Sequence, residues 1–261
     1  MSHRINISIA DIWSKPEYNS ERVTQALFNE TLEVIDKGEQ YSLIRLKDGY
    51  KGYVNNNFYY DENLQKEGDY IVSASIAVAY TGADLRSHSA AILPFASQVK
   101  VIKQIGEFNL CESARYGDMY ISNDDLTPLD SSPKLSPDMM PVFLDSTKRF
   151  LGVPYLWGGK SFFGFDCSGL TQINFKFFGI DLPRDTEDQI TIGKEIPKDK
   201  IQPGDLLFFD RHVAIAINDK KYIHSSLSQG GVYINSLDCS QPNYLKELDE
   251  NLKTVRRIIE N

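Results

Sequence analysis

An internal repeat with an offset of 67 residues is the feature that most constrains the fold of the first half of this chain. Aromatic and aliphatic residues recur at matching positions, while the polar residues between them differ. Because both copies keep one apolar register, we expect two domains built around the same core. The matched positions are Phe28 and Phe95, Val34-Ile35 and Val101-Ile102, Tyr41 and Phe108, Leu43 and Leu110, and Tyr53-Val54 and Tyr120-Ile121.

Each copy of the repeat has the pattern of a small all-β domain. Short alternating or β-branched segments are broken by turn residues, and no helical period extends beyond a turn or two. We therefore predict two small all-β barrels, over residues 1–62 and 63–123. In the first copy the predicted strands are Ile5–Ile12, Thr24–Leu27, Thr31–Asp36, Tyr41–Leu46 and Gly52–Val54.

A polar, proline-rich segment follows the second copy. Between Asn123 and Asp138 the composition shifts to Asp, Ser and Pro. Such a segment buries too little apolar surface to fold alone, and its prolines keep it extended. We therefore predict that residues 124–140 form a linker to a third domain, over residues 141–261.

The third domain begins with helical segments. Apolar residues at helical spacing predict one helix over residues 142–150 and a second helix that begins at Cys167. The segment Thr186-Glu-Asp-Gln189 has the pattern of a capping box, which predicts a short third helix. The first part of this domain is therefore expected to be helical.

Strands dominate the remainder of the third domain. Short β-rich segments alternate with turn residues, as in an antiparallel meander. Helices followed by strands predict an α+β domain in which the helices pack on an antiparallel sheet. The predicted strands are Asp205–Phe209, His212–Ile217, Tyr222–Ser226 and Gly231–Leu237.

Charge and cysteine content exclude several classes of protein. Acidic residues outnumber basic ones, for a net charge of −8, so neither a nucleic acid nor a membrane surface is an expected partner. The N-terminus lacks the apolar segment of a signal peptide, and we expect a cytoplasmic protein or one whose leader was removed. The three cysteines, Cys111, Cys167 and Cys239, have no CxxC spacing, which argues against disulfides and against a zinc site.

Cys167 lies where a glycine-rich loop runs into the second predicted helix. Asp166 is a good N-cap, and Gly179 is a typical stop signal at the other end. At a helix N-terminus, free N–H groups and the helix dipole favour a thiolate, so we expect the Cys167 pKa to lie below the value of about 8.5 of a free cysteine. The alternative is a small buried residue of the core, which is common for cysteine.

Two of the four histidines fall on neighbouring predicted strands. His212 opens one strand, His224 lies within the next, and the connection over residues 218–221 is short enough for a hairpin. Both rings face the same side only if this connection supplies an odd offset, which the sequence leaves open. If they do, Cys167 attacks, His212 takes its proton and His224 orients His212. His3 lies in a terminus that we expect to be mobile.

Six short motifs surround these residues, namely Tyr155-x-Trp-Gly-Gly159, Asp166-Cys-Ser-Gly169, Leu182-Pro-Arg184, Pro203-Gly-Asp-Leu206, His212-Val-Ala-Ile215 and Ile223-His224. In this order they resemble the NlpC/P60 family of papain-like cell-wall peptidases, over residues 142–237. The two upstream barrels resemble bacterial SH3-like domains. Two such barrels before this catalytic domain resemble the γ-D-glutamyl-L-diamino acid endopeptidases, also called the dipeptidyl-peptidase VI group.

The resemblance implies a role for each motif residue. Cys167 and His212 match the catalytic dyad, and His224 matches the polar residue that orients the imidazole. The Tyr155 hydroxyl would join the Cys167 N–H in binding the oxyanion. No metal or cofactor is implied. The residues implied to line the substrate pocket are Trp157, Asp166, Ser168, Asp185 and Thr186, and helix capping is the alternative for Asp166 and Thr186.

The resemblance also implies a substrate, a murein tripeptide or tetrapeptide with a free N-terminal L-Ala. The bond cut would join γ-D-Glu to the diamino acid, as a step of cell-wall peptide recycling. In the related group a barrel closes one end of the cleft, which requires an anion for the substrate ammonium and a steric stop behind it. The candidates in the first barrel are Glu21, Glu30, Tyr50 and Tyr53.

Two alternatives to a recycling peptidase stay open. One is a secreted peptidoglycan hydrolase that its barrels anchor to the wall, and the other is a murein-peptide binding module without catalytic activity. The sequence leaves open whether the diamino acid is diaminopimelate or lysine. It also leaves the oligomeric state open.

Overall fold

The chain divides into two units, Met1–Ser132 and Pro133–Asn261, in a computed structural model that describes residues 2–61, 63, 64 and 66–259. Among its described residues, the first unit contains strands and single 3₁₀ turns, and the second unit contains helices and a sheet. In the described part of the chain, each helix is too short or too polar to cross a lipid bilayer.

The first copy of the repeat forms a seven-stranded sheet with the order β3-β2-β6-β5-β4-β1-β7. Its core is made of aliphatic residues on alternating strand positions, among them Ile12, Ile44 and Val54, which are fully buried. The strands are Ser2–Ile5 (β1), Ile9–Trp13 (β2), Arg22–Leu27 (β3), Thr31–Lys37 (β4), Tyr41–Leu46 (β5), Lys51–Asn55 (β6) and Tyr59–Asp61 (β7).

The second copy forms a seven-stranded sheet with the equivalent order β10-β9-β13-β12-β11-β8-β14. The two sheets share local irregularities at the same offset of 67 residues. Asn29 and Ala96 both have positive φ, 63° and 65°, and bulges follow both Val34 and Val101. The structure thus confirms the predicted duplication. The strands are Tyr70–Val72 (β8), Ile76–Tyr80 (β9), Ser89–Pro94 (β10), Gln98–Ile105 (β11), Phe108–Ser113 (β12), Gly117–Ser122 (β13) and Leu126–Pro128 (β14).

Contacts join the two sheets into one unit. Phe28, from the turn after β3, is 1% exposed and packs in the hydrophobic core of the second sheet. The Arg115 guanidinium, from the second sheet, donates to the Asn6 side chain and to the Asn57 carbonyl. One sheet therefore completes the core of the other.

The predicted linker is wrong at its N-terminal end. Leu126–Pro128 is the edge strand β14, which pairs with β8, and Leu126 is 7% exposed in the second core. Pro128 is tolerated there because an edge strand does not need every N–H. The predicted boundary after residue 62 falls on a residue outside the described ones.

Two strand expectations at the N-terminus are also corrected. The predicted strand Ile5–Ile12 is two strands, because β1 pairs with β4 and β7, whereas β2 pairs with β3 and β6. His3 lies in β1, which pairs with both β4 and β7, so the expectation of a mobile terminus is wrong for this residue.

The second unit is the predicted α+β fold. Its strands form an antiparallel sheet of order β17-β22-β18-β19-β20-β21, preceded by a two-stranded hairpin, and α2 packs on β19 and β20. The helices are Met140–Lys148 (α1), Cys167–Phe177 (α2), Thr186–Gln189 (α3) and Lys246–Glu250 (α4). The strands are Lys160–Ser161 (β15), Gly164–Phe165 (β16), Lys194–Ile196 (β17), Leu206–Phe209 (β18), His212–Ala216 (β19), Lys221–Ser226 (β20), Gly231–Ser236 (β21) and Thr254–Arg257 (β22).

Helix α2 packs against α1 as well as against the sheet. Its apolar face is almost completely buried, and Phe143 of α1 lies edge-on against Phe175 and Phe178 at centroid distances of 4.8 and 5.3 Å. The predicted stop at Gly179 is confirmed, since its φ of 82° is a left-handed conformation that ends the helix. The C-terminal half of α2 is therefore fixed in position.

The capping box predicted for α3 does not form. It would need the Gln189 side chain to reach back to the backbone at Thr186. Instead the Gln189 amide points into the unit and donates to the carbonyls of Ser168 and Pro183, at 3.1 and 2.8 Å. This side chain therefore ties α3 to the start of α2.

Candidate active site

Cys167 occupies the first turn of α2, at the end of a tight glycine loop. The Asp166 N–H donates to the Gly159 carbonyl at 3.1 Å, and the same carbonyl leaves no space for a Cβ at Gly169. Glycine at 169 is thus required for the loop to lie against the helix. Cys167 is 8% exposed.

Asp166 holds this loop and the helix start together. As N-cap of α2, its Oδ1 accepts from the Gly169 N–H at 2.7 Å, and its Oδ2 accepts from the Gly158 N–H at 2.9 Å. The Arg184 guanidinium donates to both oxygens, at 3.0 and 2.6 Å. The predicted capping role is confirmed. These donors already occupy both carboxylate oxygens. A contact between Asp166 and substrate stays a prediction.

The Cys167 sulfur lies where the sheet opens. In the described chain β19 and β20 pair only at Ile215↔Ile223 and Ala216↔Tyr222, so they separate toward the start of β19. The Val213 N–H is left without a ladder partner there and donates to Cys167 Sγ. The sulfur therefore lies next to the backbone of His212.

The register of the β19–β20 hairpin places both histidine rings on one face. Five residues, 217–221, separate the paired Ala216 and Tyr222, which is the odd offset that the sequence left open. The ring centroids of His212 and His224 are 4.9 Å apart with an interplanar angle of 75°. Phe209 packs against the His212 ring, and Tyr222 packs against the His224 ring.

A chain of hydrogen bonds runs from His212 into the protein. His212 Nε2 lies 2.7 Å from His224 Nδ1, and His224 Nε2 lies 2.9 Å from Asn235 Oδ1. This uses one nitrogen of His212 and leaves Nδ1 for a proton from the thiol. His212 is half-buried, while His224 and Asn235 are buried.

Burial determines the charge states of the site residues. It raises the pKa of the Cys167 thiol, and the nearby Asp166 carboxylate raises it further, while the Val213 and Thr186 hydrogen bonds lower it. Burial also lowers the pKa of His212 to about 3 and that of His224 to about 4. The helix terminus was expected to lower the thiol pKa, but burial outweighs it. The resting site thus contains a neutral thiol and neutral imidazoles.

Tyr155 lies within electrostatic range of Cys167. Burial raises the pKa of its hydroxyl to about 12, and the charges of Cys167 and Asp166 add to this. The hydroxyl therefore stays protonated and can act as a hydrogen-bond donor. Its backbone N–H donates to the Gly230 carbonyl at 2.9 Å, which fixes this segment against the turn between β20 and β21.

The other predicted pocket residues lie at different depths. The Thr186 hydroxyl is 3.8 Å from Cys167 Sγ, and Asp185 is the N-cap residue of α3. The Ser168 hydroxyl accepts from Arg184 at 2.8 Å and is buried. Trp157 is 58% exposed on the glycine loop. Thr186 is thus the one of these four whose side chain reaches the sulfur in the described chain.

The four barrel candidates lie in the first unit. The Glu30 carboxylate accepts from the Leu27 N–H at 2.9 Å and so closes the turn after β3. Tyr53 lies on β6, and Glu21 and Tyr50 lie in connections. Their predicted contact with a substrate ammonium stays a prediction.

Sequence analysis missed two residues of this site. Arg184 is part of a quoted motif, but its ion pair with Asp166 was not predicted, because a buried ion pair is invisible without the fold. Asn235 was not considered at all. The available signal was its position on a strand that follows His224, because a short hairpin brings the residues of two such strands together.

Comparison with known proteins assigns the chain to a family. A model of the NlpC/P60 family matches residues 152–248, and with the cysteine–histidine site this defines a cysteine peptidase. The "Gamma-D-glutamyl-L-lysine dipeptidyl-peptidase" of Bacillus subtilis is 31% identical over 245 residues, which cover 86% of this chain and 78% of the relative. The chain belongs to the NlpC/P60 family.

Other matches include the N-terminal part of the chain. A model described as the bacterial dipeptidyl-peptidase Sh3 domain matches residues 12–57. The "Dipeptidyl-peptidase 6" of Lysinibacillus sphaericus is 25% identical over 268 residues, covering 95% of this chain and 96% of the relative. A crystal structure of an NlpC/P60 family protein from Bacillus cereus has a TM-score of 0.84 and 23% identity, over 99% of both chains. This last likeness shows the fold.

Proposed function

We propose that this protein hydrolyses the bond between γ-D-Glu and the diamino acid of murein peptides with a free N-terminal L-Ala. We propose further that it acts in the cytoplasm, in the recycling of cell-wall peptides. The observation that carries the chemistry is the hydrogen bond from the Val213 N–H to the Cys167 sulfur, one residue from His212, whose Nε2 lies 2.7 Å from His224 Nδ1. The names of the Bacillus subtilis and Lysinibacillus sphaericus relatives support the specificity.

In this proposal the first half of the reaction forms an acyl-enzyme. The Cys167 proton moves to His212 Nδ1 as the sulfur attacks the γ-carbonyl carbon of D-Glu. The Tyr155 hydroxyl and the Cys167 N–H stabilise the oxyanion that forms. The C–N bond then breaks, His212 returns the proton to the leaving amine of the diamino acid, and a thioester remains.

The second half of the reaction releases the dipeptide. A water molecule gives a proton to His212 and its oxygen attacks the thioester carbon. The C–S bond breaks, His212 returns the proton to sulfur, and L-Ala-D-Glu leaves with a free carboxyl group. His224 keeps the His212 ring in place throughout.

Product analysis of defined peptides tests the proposal. L-Ala-γ-D-Glu-diaminopimelate and its lysine analogue should each be tried, together with their N-acetylated forms, and the products identified by mass spectrometry. We expect free diamino acid and L-Ala-D-Glu from the unblocked peptides, and much slower cleavage of the acetylated ones. Equal rates would contradict the requirement for a free N-terminus, and no cleavage would contradict the proposed activity. Cys167→Ala should be inactive, and Cys239→Ala, at an exposed cysteine, should not.

Three further measurements separate the two alternatives from the proposal. A wall-anchored hydrolase would solubilise intact sacculi faster than it cuts free tripeptide. A binding module would retain peptide without cleaving it, and an inert Cys167 would resist iodoacetamide even at mildly alkaline pH.

A further inference from the structure

We propose that Asn235 fixes the tautomers of both histidines and is therefore a positioning residue of this site. The inference rests on the proposed function, because it deals with how the same histidines are prepared for proton transfer. Its basis is the hydrogen bond of 2.9 Å between His224 Nε2 and Asn235 Oδ1. The Asn235 side chain is held in the hairpin of β20 and β21 and is 5% exposed.

The orientation of the Asn235 amide is determined by its other partner. Asn235 Nδ2 donates to the Asn243 carbonyl at 3.0 Å, and a backbone carbonyl can only accept. The nitrogen must therefore face Asn243 and the oxygen must face His224. The Asn243 carbonyl also accepts from the Ser236 N–H at 3.1 Å, and the Asn243 amide donates to the Ile234 carbonyl at 2.9 Å. Asn235 thus cannot flip without losing a bond.

From this oxygen the proton positions follow in order. Because Asn235 Oδ1 can only accept, neutral His224 must carry its proton on Nε2. This leaves a lone pair on His224 Nδ1. That lone pair accepts from His212 Nε2, which must then bear the proton of neutral His212. His212 Nδ1 is left unprotonated. This is the form that can take a proton from the Cys167 thiol.

Proton transfer leaves the inner part of this chain unchanged. When His212 Nδ1 receives the thiol proton, His212 becomes an imidazolium that still donates from Nε2 to His224. His224 remains neutral and Asn235 remains an acceptor. No proton passes through Asn235, so its role is to exclude the wrong tautomer rather than to carry charge.

The opposite tautomer would block the reaction. If His224 carried its proton on its own Nδ1, it would donate to His212 Nε2. Neutral His212 would then carry its proton on its own Nδ1. A protonated Nδ1 cannot accept the thiol proton. Asn235→Leu removes the Oδ1 acceptor, which disfavours the Nδ1–H tautomer of His224. We therefore expect kcat to fall about 10- to 100-fold with little change in KM.

Nitrogen NMR of the full chain measures the tautomers directly. The chain has only four histidines, so a sample with ¹⁵N-labelled histidine gives a spectrum that His3→Gln and His88→Gln variants can assign. At neutral pH both site histidines are uncharged, since burial lowers their pKa values to about 3 and 4. We expect the Nε2–H form for His212 and His224 in the unmodified protein, and a mixture in Asn235→Leu.

Two further variants complete the test. Asn235→Asp keeps an acceptor toward His224, and its spectrum should retain the Nε2–H form. Asn218→Ala is the matched control, because Asn218 is an exposed turn residue of the β19–β20 hairpin that accepts from the Lys220 and Lys221 N–H groups. It should change neither the tautomers nor kcat.

The outcomes are decisive even if a variant fails to fold. A proton on Nδ1 of His224 in the unmodified protein would overturn the proposal without any variant, as would unchanged tautomers and kcat in a folded Asn235→Leu. The tautomers are observed without substrate. If murein peptides are not cleaved but the tautomers respond as expected, the proposed function fails and the positioning role stands.

Discussion

At the scale of single residues, the Cys167 sulfur shows how burial and hydrogen bonding compete. Burial raises the pKa of the thiol, whereas the Val213 N–H and the Thr186 hydroxyl lower it. Burial away from water disfavours the thiolate, but it also strengthens each hydrogen bond that is donated to the sulfur. The few donors around the sulfur therefore control how easily it reacts.

Thr186→Val tests one of these donors. Its hydroxyl lies 3.8 Å from the sulfur, and its loss should raise the Cys167 pKa further. A higher pKa leaves less thiolate at a given pH, so iodoacetamide should alkylate Cys167 about 2- to 10-fold more slowly near neutrality, and the rate should rise at higher pH than in the unmodified protein. Peptide mass spectrometry separates Cys167 from Cys239, which is exposed.

Thr191→Val is the control for this measurement. Thr191 lies just after α3, and its hydroxyl donates to the Asp188 carbonyl in an exposed turn. Its loss should leave the alkylation of Cys167 unchanged. Equal or faster alkylation in Thr186→Val would show that the hydroxyl does not stabilise the thiolate.

At the scale of secondary-structure elements, the Asp166–Arg184 ion pair joins the start of α2 to the segment before α3. Both side chains are buried, at 7% and 2% exposure, and the pair is bidentate. Removing one partner from a buried pair leaves an uncompensated charge. The glycine loop, α2 and α3 therefore depend on one contact.

Arg184→Met should destabilise the protein by about 3–5 kcal/mol, because the Asp166 carboxylate would stay buried without its counter-charge. Urea unfolding measures this change. Lys198→Met is the matched control, because it removes a similar bond of 2.6 Å to Asp249 at a side chain that is 56% exposed. Exposed pairs contribute about 0–1 kcal/mol, so similar losses in both variants would contradict the argument.

At this scale, the sequence predicted the features that depend on neighbouring residues and missed those that depend on residues distant in sequence. The strands around His212 and His224, and the stop of α2 at Gly179, depend on neighbouring residues and were predicted closely. The face on which the two rings lie depends on hairpin register, and the position of Asn235 depends on a second register, so neither was determined. The α3 capping box failed because Gln189 has partners that are distant in sequence.

At the scale of the molecule, the first unit shows why duplication does not give two independent domains. The copies share strand order, bulges and left-handed turn residues. The repeat was visible in the sequence because core positions keep their type. The sequence did not show that Phe28 of the first copy packs in the core of the second copy. Its match with Phe95 implied that the two rings have equivalent environments. The Pro-rich composition after the second sheet likewise concealed β14.

Phe28→Ala tests whether the two sheets of the first unit are stabilised together. The ring is 1% exposed in the core of the second sheet, and its removal should leave a cavity that costs about 3–5 kcal/mol. Hydrogen exchange of the full chain should then be roughly a hundredfold faster or more in β9, β12 and β13, while β19 and β20 should be unaffected. Tyr18→Ala, at a ring that is 73% exposed, should change neither. Faster exchange confined to the first sheet would show that the second core does not depend on Phe28.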